Sequence, residues 1–290
     1  MKENSIPLSV LIPCKNEERN LDRCLKSISW VNEVFVVDSQ STDRTQEISK
    51  KYKANVVQFS YKGGWPKKKN WALENIGFSN EWVMILDADE CLAPEAKEEI
   101  KGIINNSKEK HAGFWINRRY FFLGKPLKHA YFPNWNLRLF KHKLGRYEKI
   151  TDQSTDSGDH EIHEHVVVKG STGKLESIMD HHAFPTIESF VEKHNRYSNW
   201  EAIVESSATD DDSALQHDGV KGKRRLRKIF RKLPFRPTLR FLYVYLWQGG
   251  ILDGWPGYVF ARLHAQYEFL SQAKAKAILR NRKEAGNTTR

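Results

Sequence analysis

Two carboxylates one residue apart, Asp87 and Asp89, stand directly after the apolar run Val83-Met84-Ile85-Leu86. A run of that length fits a strand buried on both faces, as in a parallel sheet. In open α/β sheets ligands bind beyond the carboxyl ends of the strands, which is where this pair would stand. Carboxylate oxygens are hard donors that suit Mg²⁺ or Mn²⁺, and such ions commonly bridge a few carboxylates to substrate phosphates. The chemistry to expect is a metal–diphosphate complex at a sheet edge. An isolated Asp-x-Asp is more often a strand followed by a polar turn, so the surrounding pattern has to decide.

The elements that would position this pair are legible upstream. Residues 9–13 read as a first strand stopped by Pro13, and 33–38 as a second ending in Asp38. Between them Leu21, Leu25 and Ile28 fall at helical spacing. Residues 45–52 form a short helix after the capping residues Ser41, Thr42 and Asp43. Strand 55–59, a glycine loop over 62–66, helix 67–77, strand 82–86 and helix 94–104 follow. Strands alternating with helices predict a doubly wound, mostly parallel, Rossmann-like α/β sheet. Right-handed crossovers put the strand ends on one edge, so Asp38, Asp87 and Asp89 should converge. From about residue 113 the pattern turns to β segments over 114–122, 135–140 and 163–168, with a polar loop at 151–160 and a helix at 186–205. The expected organisation is a catalytic domain over 1–205 in two halves (1–110 and 111–205), a linker at 206–222, and a basic, aromatic helical region over 223–290.

The chain has 290 residues, enough for a full core, and its 29% charged and 39% hydrophobic content is that of a soluble globular protein. Three cysteines, Cys14, Cys24 and Cys91, give no disulfide framework and favour a reducing, cytosolic compartment. No signal peptide and no apolar run of spanning length is found. The net charge is +11, yet residues 221–240 alone carry +10 with no acidic residue, leaving +1 for the rest. The basic character is local, so its partner should be a surface met by one segment.

Four ordered motifs carry a resemblance. They are Ser9-Val10-Leu11-Ile12-Pro13-Cys14-Lys15-Asn16-Glu17, Val36-Val37-Asp38-Ser39-Gln40-Ser41-Thr42-Asp43-Arg44-Thr45, Lys67-Lys68-Lys69-Asn70-Trp71-Ala72-Leu73 and Leu86-Asp87-Ala88-Asp89-Glu90. With them the first hundred residues resemble the family 2 glycosyltransferases, which have the GT-A fold. The second motif departs from the usual Asp-Asp-Gly-Ser-Thr-Asp, with Ser39 in place of a second Asp and Gln40 in place of the glycine. Later stretches, Asn136-Leu137-Arg138-Leu139-Phe140, His163-Glu164-His165-Val166 and Leu252-Asp253-Gly254-Trp255-Pro256-Gly257, are similar to the branch of lipopolysaccharide core β-glucosyltransferases.

The resemblance implies an inverting, metal-dependent transferase that moves a sugar from a nucleotide-sugar, first of all a UDP-sugar, to a glycolipid or oligosaccharide acceptor. It makes 1–110 the nucleotide-sugar half and 111–205 the acceptor half. It places Pro13, Glu17 and Asp38 in the nucleoside pocket, with Asp38 suited to accept from the uracil imide N–H. Lys69 would contact the diphosphate or sugar, although a solvated helix face is the plain alternative for Lys67 to Lys69. Asp89 would ligate Mg²⁺ or Mn²⁺, with Asp87 on metal or ribose. One of His181 and His182 could complete the sphere, and His182 is assigned to it. Arg138 could clamp a phosphate, or be a packed strand arginine. Glu164 is the expected general base, with Glu161 and Asp159 as competitors. In a strand Glu164 faces away from His163 and His165. A dedicated zinc site is disfavoured because no Cys/His spacing for one occurs.

Residues 223–248 join the basic run to apolar and aromatic residues, broken by Pro234 and Pro237. Such a stretch suits an anionic membrane surface, with Trp247 and Trp255 at headgroup depth. A helix over 258–280 follows. A nucleic-acid arm is less favoured because no recognition motif accompanies the charge. The expected place of work is the cytoplasmic face of the cell membrane. The contrasting reading is a non-catalytic GT-A scaffold that docks to membrane through its tail. A nucleotidyltransferase lacks support because no glycine-rich triphosphate loop is present.

Overall fold

Alternate residues of the central strands enter two different cores, which is why those strands are apolar throughout. In β1 (Ile6–Cys14) Leu8, Val10 and Ile12 pack on one side and Leu11 on the other. In β4 (Trp82–Ile85) Met84 joins the first core and Val83 and Ile85 the second. The first core is covered by α1 (Leu21–Ser27) through Leu21, Cys24 and Leu25, and by α4 (Ala96–Asn105) through Ala96 and Ile100. The second is covered by α3 (Lys68–Asn75) through Ala72 and Leu73. This computed structural model describes residues 5–149, 165–206 and 233–288.

The remaining elements of the first half are β2 (Val31–Asp38), α2 (Thr45–Lys51), β3 (Asn55–Gln58), β5 (Glu90–Leu92) and β6 (Gly113–Phe122). After β7 (Lys125–Pro126) come β8 (Trp135–Lys141), β9 (Gly145–Tyr147), β10 (Val166–Val168) and β11 (Thr172–Phe184). The main sheet has the order β3-β2-β1-β4-β8-β6-β11-β5. Its first four strands are parallel, as the βα alternation predicts. The pairs β4–β8, β6–β8 and β5–β11 are antiparallel, so the expected parallel sheet is completed by a mixed half. In the parallel part Cys14, Asp38 and Gln58 stand side by side in register, which brings the strand ends to one edge. β9 and β10 form a separate antiparallel pair.

The described chain clusters into two compact units. The first holds the sheet with α1 to α4. The second holds residues 122–131, α5 (Ile187–Ser206), α6 (Arg236–Leu242), a π-helical turn at Tyr243–Trp247, a 3₁₀ turn at Gly250–Asp253 and α7 (Gly254–Thr288). In this division the first unit ends at Ala183, and α5 goes with the C-terminal helices. The reason is its apolar face. Phe190 is fully buried and meets Phe122 and Phe260, while His194 stacks on Phe190 at 3.7 Å between ring centroids. An ion cluster completes this core: Arg236, buried at 3% exposure, donates to Glu205 and Glu268, and Arg240 donates to Glu268. No helix among the described residues is long and apolar enough to cross a membrane. All three cysteines are free; Cys14 and Cys24 are buried and Cys91 is half-buried.

Candidate active site

The loops after β1 and β2 are sewn together by the polar residues of the second motif. Ser41 Oγ accepts from Asn16 N at 2.8 Å, Thr45 Oγ1 from Glu17 N at 2.8 Å, and Asp43 Oδ2 from Glu18 N at 3.0 Å. Asn16 Oδ1 accepts in turn from Thr42 N at 2.9 Å. Much of the Ser-Thr-Asp-Arg-Thr signature thus satisfies backbone groups that a loop would otherwise leave unpaired. Gln40 has φ +58°, the left-handed region that glycine enters without penalty, which explains why a glycine is usual here.

Asp38 ends β2 as expected and is fully buried. Its carboxylate accepts from Ser41 N and Oγ, Gln46 Nε2 at 3.0 Å and Gln58 Nε2 at 2.9 Å. Four donors fill the capacity of a carboxylate. These bonds tie Asp38 to the loop that follows β2 and to the end of β3. Pro13 is buried within β1, and Glu17 is half-buried, accepting from Asn20 Nδ2 at 2.9 Å.

The Lys-Lys-Lys-Asn motif opens α3, and its lysines are buried at 5%, 1% and 7% exposure, not solvated. Lys68 Nζ donates to Cys14 O at 3.0 Å, tying α3 to the end of β1. Lys69 Nζ meets Asp87 Oδ1 at 2.8 Å and lies 5.3 Å from the centre of the Tyr147 ring. Asn70 exchanges two hydrogen bonds with the Tyr147 backbone, each 2.8 Å, fixing α3 to β9.

Arg138, on β8, donates to Asp87 Oδ2 at 2.7 Å and to Glu90 Oε1 at 2.5 Å. Glu90 is fully buried; it also accepts from Arg118 at 3.2 Å and, through Oε2, from Asp87 N at 2.9 Å. Burial pushes the Asp87 carboxyl up, but Arg138 and Lys69 more than reverse this and hold it well below the usual carboxylate range. Burial likewise disfavours the Arg138 charge, and Asp87 and Glu90 restore it and raise its pKa well above the ordinary value. Asp87 is thus ionised and bracketed by two cations from opposite sides of the sequence.

Asp89, 7% exposed, faces His181, whose Nε2 lies 3.2 Å from Asp89 Oδ1. His182 projects from the other face of β11 and stacks on Phe121 at 4.3 Å, and its backbone N–H donates to Asp89 O, 2.8 Å away. Burial, followed by the nearby Arg23, lowers the His182 pKa to about 4. The histidine beside the Asp-x-Asp is His181 and not the expected His182, because successive strand residues point to opposite faces. Two donors at this separation match neighbouring ligands of an octahedral ion, which at metal–ligand distances of about 2.1 Å lie roughly 3 Å apart. The carboxylate–imidazole set also suits Mn²⁺, so the residues present fit a divalent ion. Among the described residues no group of three or more His, Cys, Asp or Glu side chains is placed to hold an ion by itself.

Glu164, with the competing Glu161 and Asp159, lies outside the described residues. The next residue, His165, is held by Glu148, which accepts from its N and pairs with its Nδ1, both at 3.1 Å. Sequence reasoning gave no role to Glu90, Arg118 or Lys68. Glu90 was visible within its motif, but its burial depends on Arg118 and Arg138, which lie some thirty and fifty residues further along the chain.

The chain matches the model of glycosyl transferase family 2 over residues 9–160. It is 30% identical to the lipopolysaccharide core biosynthesis glycosyltransferase LpsC of Rhizobium meliloti, over 93% of this chain and 92% of the relative. It is 27% identical to an uncharacterized glycosyltransferase of Rickettsia prowazekii, over 93% and 87%. Among solved structures, TarS of S. aureus (residues 1–349) aligns over 98% of this chain and 92% of its own, with 17% identity and a TM-score of 0.45. The family resemblance expected from the four ordered motifs is borne out by the family match and by LpsC.

Proposed function

The chain belongs to glycosyl transferase family 2, and from that membership we propose a metal-dependent, inverting transfer of a sugar from a nucleotide-sugar, first of all a UDP-sugar, to a glycolipid or lipopolysaccharide-type acceptor at the cytoplasmic face of a membrane. The protein is a glycosyltransferase similar to an enzyme of lipopolysaccharide core biosynthesis. One observation carries the finer reading: Lys69 and Arg138 are buried and aimed at Asp87, next to the Asp89–His181 pair. Buried cations beside a carboxylate–imidazole pair suit a metal-bound diphosphate.

In this mechanism the acceptor hydroxyl oxygen attacks the anomeric carbon from the face opposite the diphosphate. The C–O bond to the leaving phosphate breaks, and the hydroxyl proton passes to Glu164. Lys69 and Arg138 meet the charge that develops on the departing diphosphate. Asp89 and His181 would hold Mg²⁺ or Mn²⁺, which supplies further charge neutralisation on that leaving group. Glu90 acts through Arg138, fixing its guanidinium and the turn that carries Asp87. Pro13, Glu17 and the loop shaped by Asp38 would bound the nucleoside.

The test is the melting temperature of the purified protein with UDP, GDP, CDP and ADP, each with and without Mn²⁺. Ligand at about a hundred times its Kd stabilises by about 2.7 kcal/mol, a rise of several degrees. The expected result is a Mn²⁺-dependent rise with UDP. A rise with another nucleotide alone changes the donor, and a flat panel overturns the donor site and returns the non-catalytic scaffold to consideration.

A further inference from the structure

Sugar transfer as described makes no use of one surface of the second unit. Residues 241–252 contain no charged side chain. There α6 passes into the π-helical turn and then the 3₁₀ turn, and this corner sends its large apolar side chains outward. Trp247 is 84% exposed, Leu252 71%, Trp255 69% and Leu246 55%. A run of ring contacts leads to Trp255. Phe241 stacks on Tyr245, Tyr245 meets Tyr258 edge-on, and Tyr258 stacks on Trp255, with centroids 5.2 to 5.8 Å apart. Exposed apolar patches of this kind mark contact surfaces.

The exposure is built in and is not slack. The Asp253 carboxylate accepts the backbone N–H groups of Lys128, His129 and Ala130 at 2.8 to 3.1 Å. Gly249 and Gly254 have φ of +73° and +65°. A Cβ on Gly257 would stand 1.9 Å from Gly250 O, so only glycine lets α7 start against the 3₁₀ turn. The Asp-Gly-Trp-Pro-Gly stretch thus holds the corner shut while its tryptophan faces out.

Cations border the patch. Lys128 is exposed next to Asp253, and the exposed Arg262 places its guanidinium 5.7 Å from the centre of the Phe241 ring. In sequence, residues 221–232 carry eight Lys and Arg and no acid, directly ahead of Leu233; Phe235 is 79% exposed. An apolar, tryptophan-bearing centre edged by positive charge complements an anionic bilayer, where the rings lie at headgroup depth and the cations meet lipid phosphates.

We propose that this corner, led by Trp247, Leu252 and Trp255, is a preformed insertion element that docks the protein onto anionic lipid bilayers. The purpose, reaching a lipid-linked acceptor, rests on the transferase reading; the docking itself does not.

The test is co-sedimentation of the full chain with vesicles of phosphatidylcholine alone and with roughly 30% phosphatidylglycerol. Binding is expected on the anionic vesicles only, weakened by salt. The double variant W247S/L252S should partition at least about tenfold less while keeping its melting temperature and its UDP response. Trp255→Ser provides a second, separate position should the double variant fail to fold. Failure of the full chain to bind anionic vesicles, or wild-type binding by both variants, overturns the proposal. So does concentration-dependent self-association without lipid that W247S/L252S abolishes, which would make a second copy the occupant. Vesicle binding without any nucleotide response would leave docking intact and remove the transferase reading.

Discussion

At the scale of residues, the site is a set of charges whose burial makes each depend on its neighbour. Asp89 and His181 stand 3.2 Å apart as the pair proposed to hold the ion, so Asp89→Ala should abolish transfer, by at least about a thousandfold. It should also erase the Mn²⁺ dependence of the nucleotide-induced rise in melting temperature. Full activity in that variant would remove the metal role. Glu90 makes a different kind of contribution. Removing its charge leaves Arg118 and Arg138 buried with one anion fewer, and breaking such a pair costs about 3 kcal/mol. Glu90→Gln should therefore lower the free energy of unfolding in urea by that amount, and a loss below about 0.5 kcal/mol would mean that Arg138 does not depend on Glu90. The same interdependence explains what the residues could not reveal in sequence. Lysines 67 to 69 look like a solvated face until Cys14, Asp87 and Tyr147 are brought to them by three separate strand ends.

At the scale of elements, the parallel part of the sheet was legible because apolar runs and helical spacing alternate there without interruption. β11 was not, because its inward face reads Leu175, Ser177, Met179, His181 and Ala183, with two polar residues breaking the period-2 signal. That face also decides between the two histidines: His181 shares it with Met179, and His182 cannot. α5 and α7 meet through a different pair. His194 Nδ1 donates to Phe190 O, 2.9 Å away, and the ring packs against Phe184, Tyr197, His264 and Tyr267. Burial lowers its pKa to about 4, and Lys193 adds to the effect. The folded state thus keeps His194 neutral where the unfolded chain binds a proton. Stability should fall as pH drops from about 6.5 to 4, by up to about 3 kcal/mol from this group. His194→Gln should flatten that part of the profile in chemical denaturation at stepped pH; an unchanged slope would assign it to other groups.

At the scale of the whole molecule, charge is distributed so unevenly that two of its properties should separate. Replacing the eight Lys and Arg of 221–232 with Gln lowers the net charge from +11 to +3. Retention on an anionic matrix should then lose most of its salt dependence, while the response to UDP and Mn²⁺ stays as in the parent. Loss of both together would mean that the run contributes to the donor site. The division into two compact units was less legible than the fold of either, because the cut passes within β11 and turns on which face of α5 is apolar.

The unequal burial of the three thiols has a practical corollary. Cys14 and Cys24 are enclosed, and burial raises both of their pKa values well above that of a free thiol, so neither offers thiolate to a reagent. Cys91 is half-buried and its pKa is raised less, so a maleimide at mildly alkaline pH should label this one position in the native protein. It adjoins Glu90 on β5 and sits opposite Asp180 of β11, where a fluorophore would report occupancy of the Asp-x-Asp turn without any engineered cysteine.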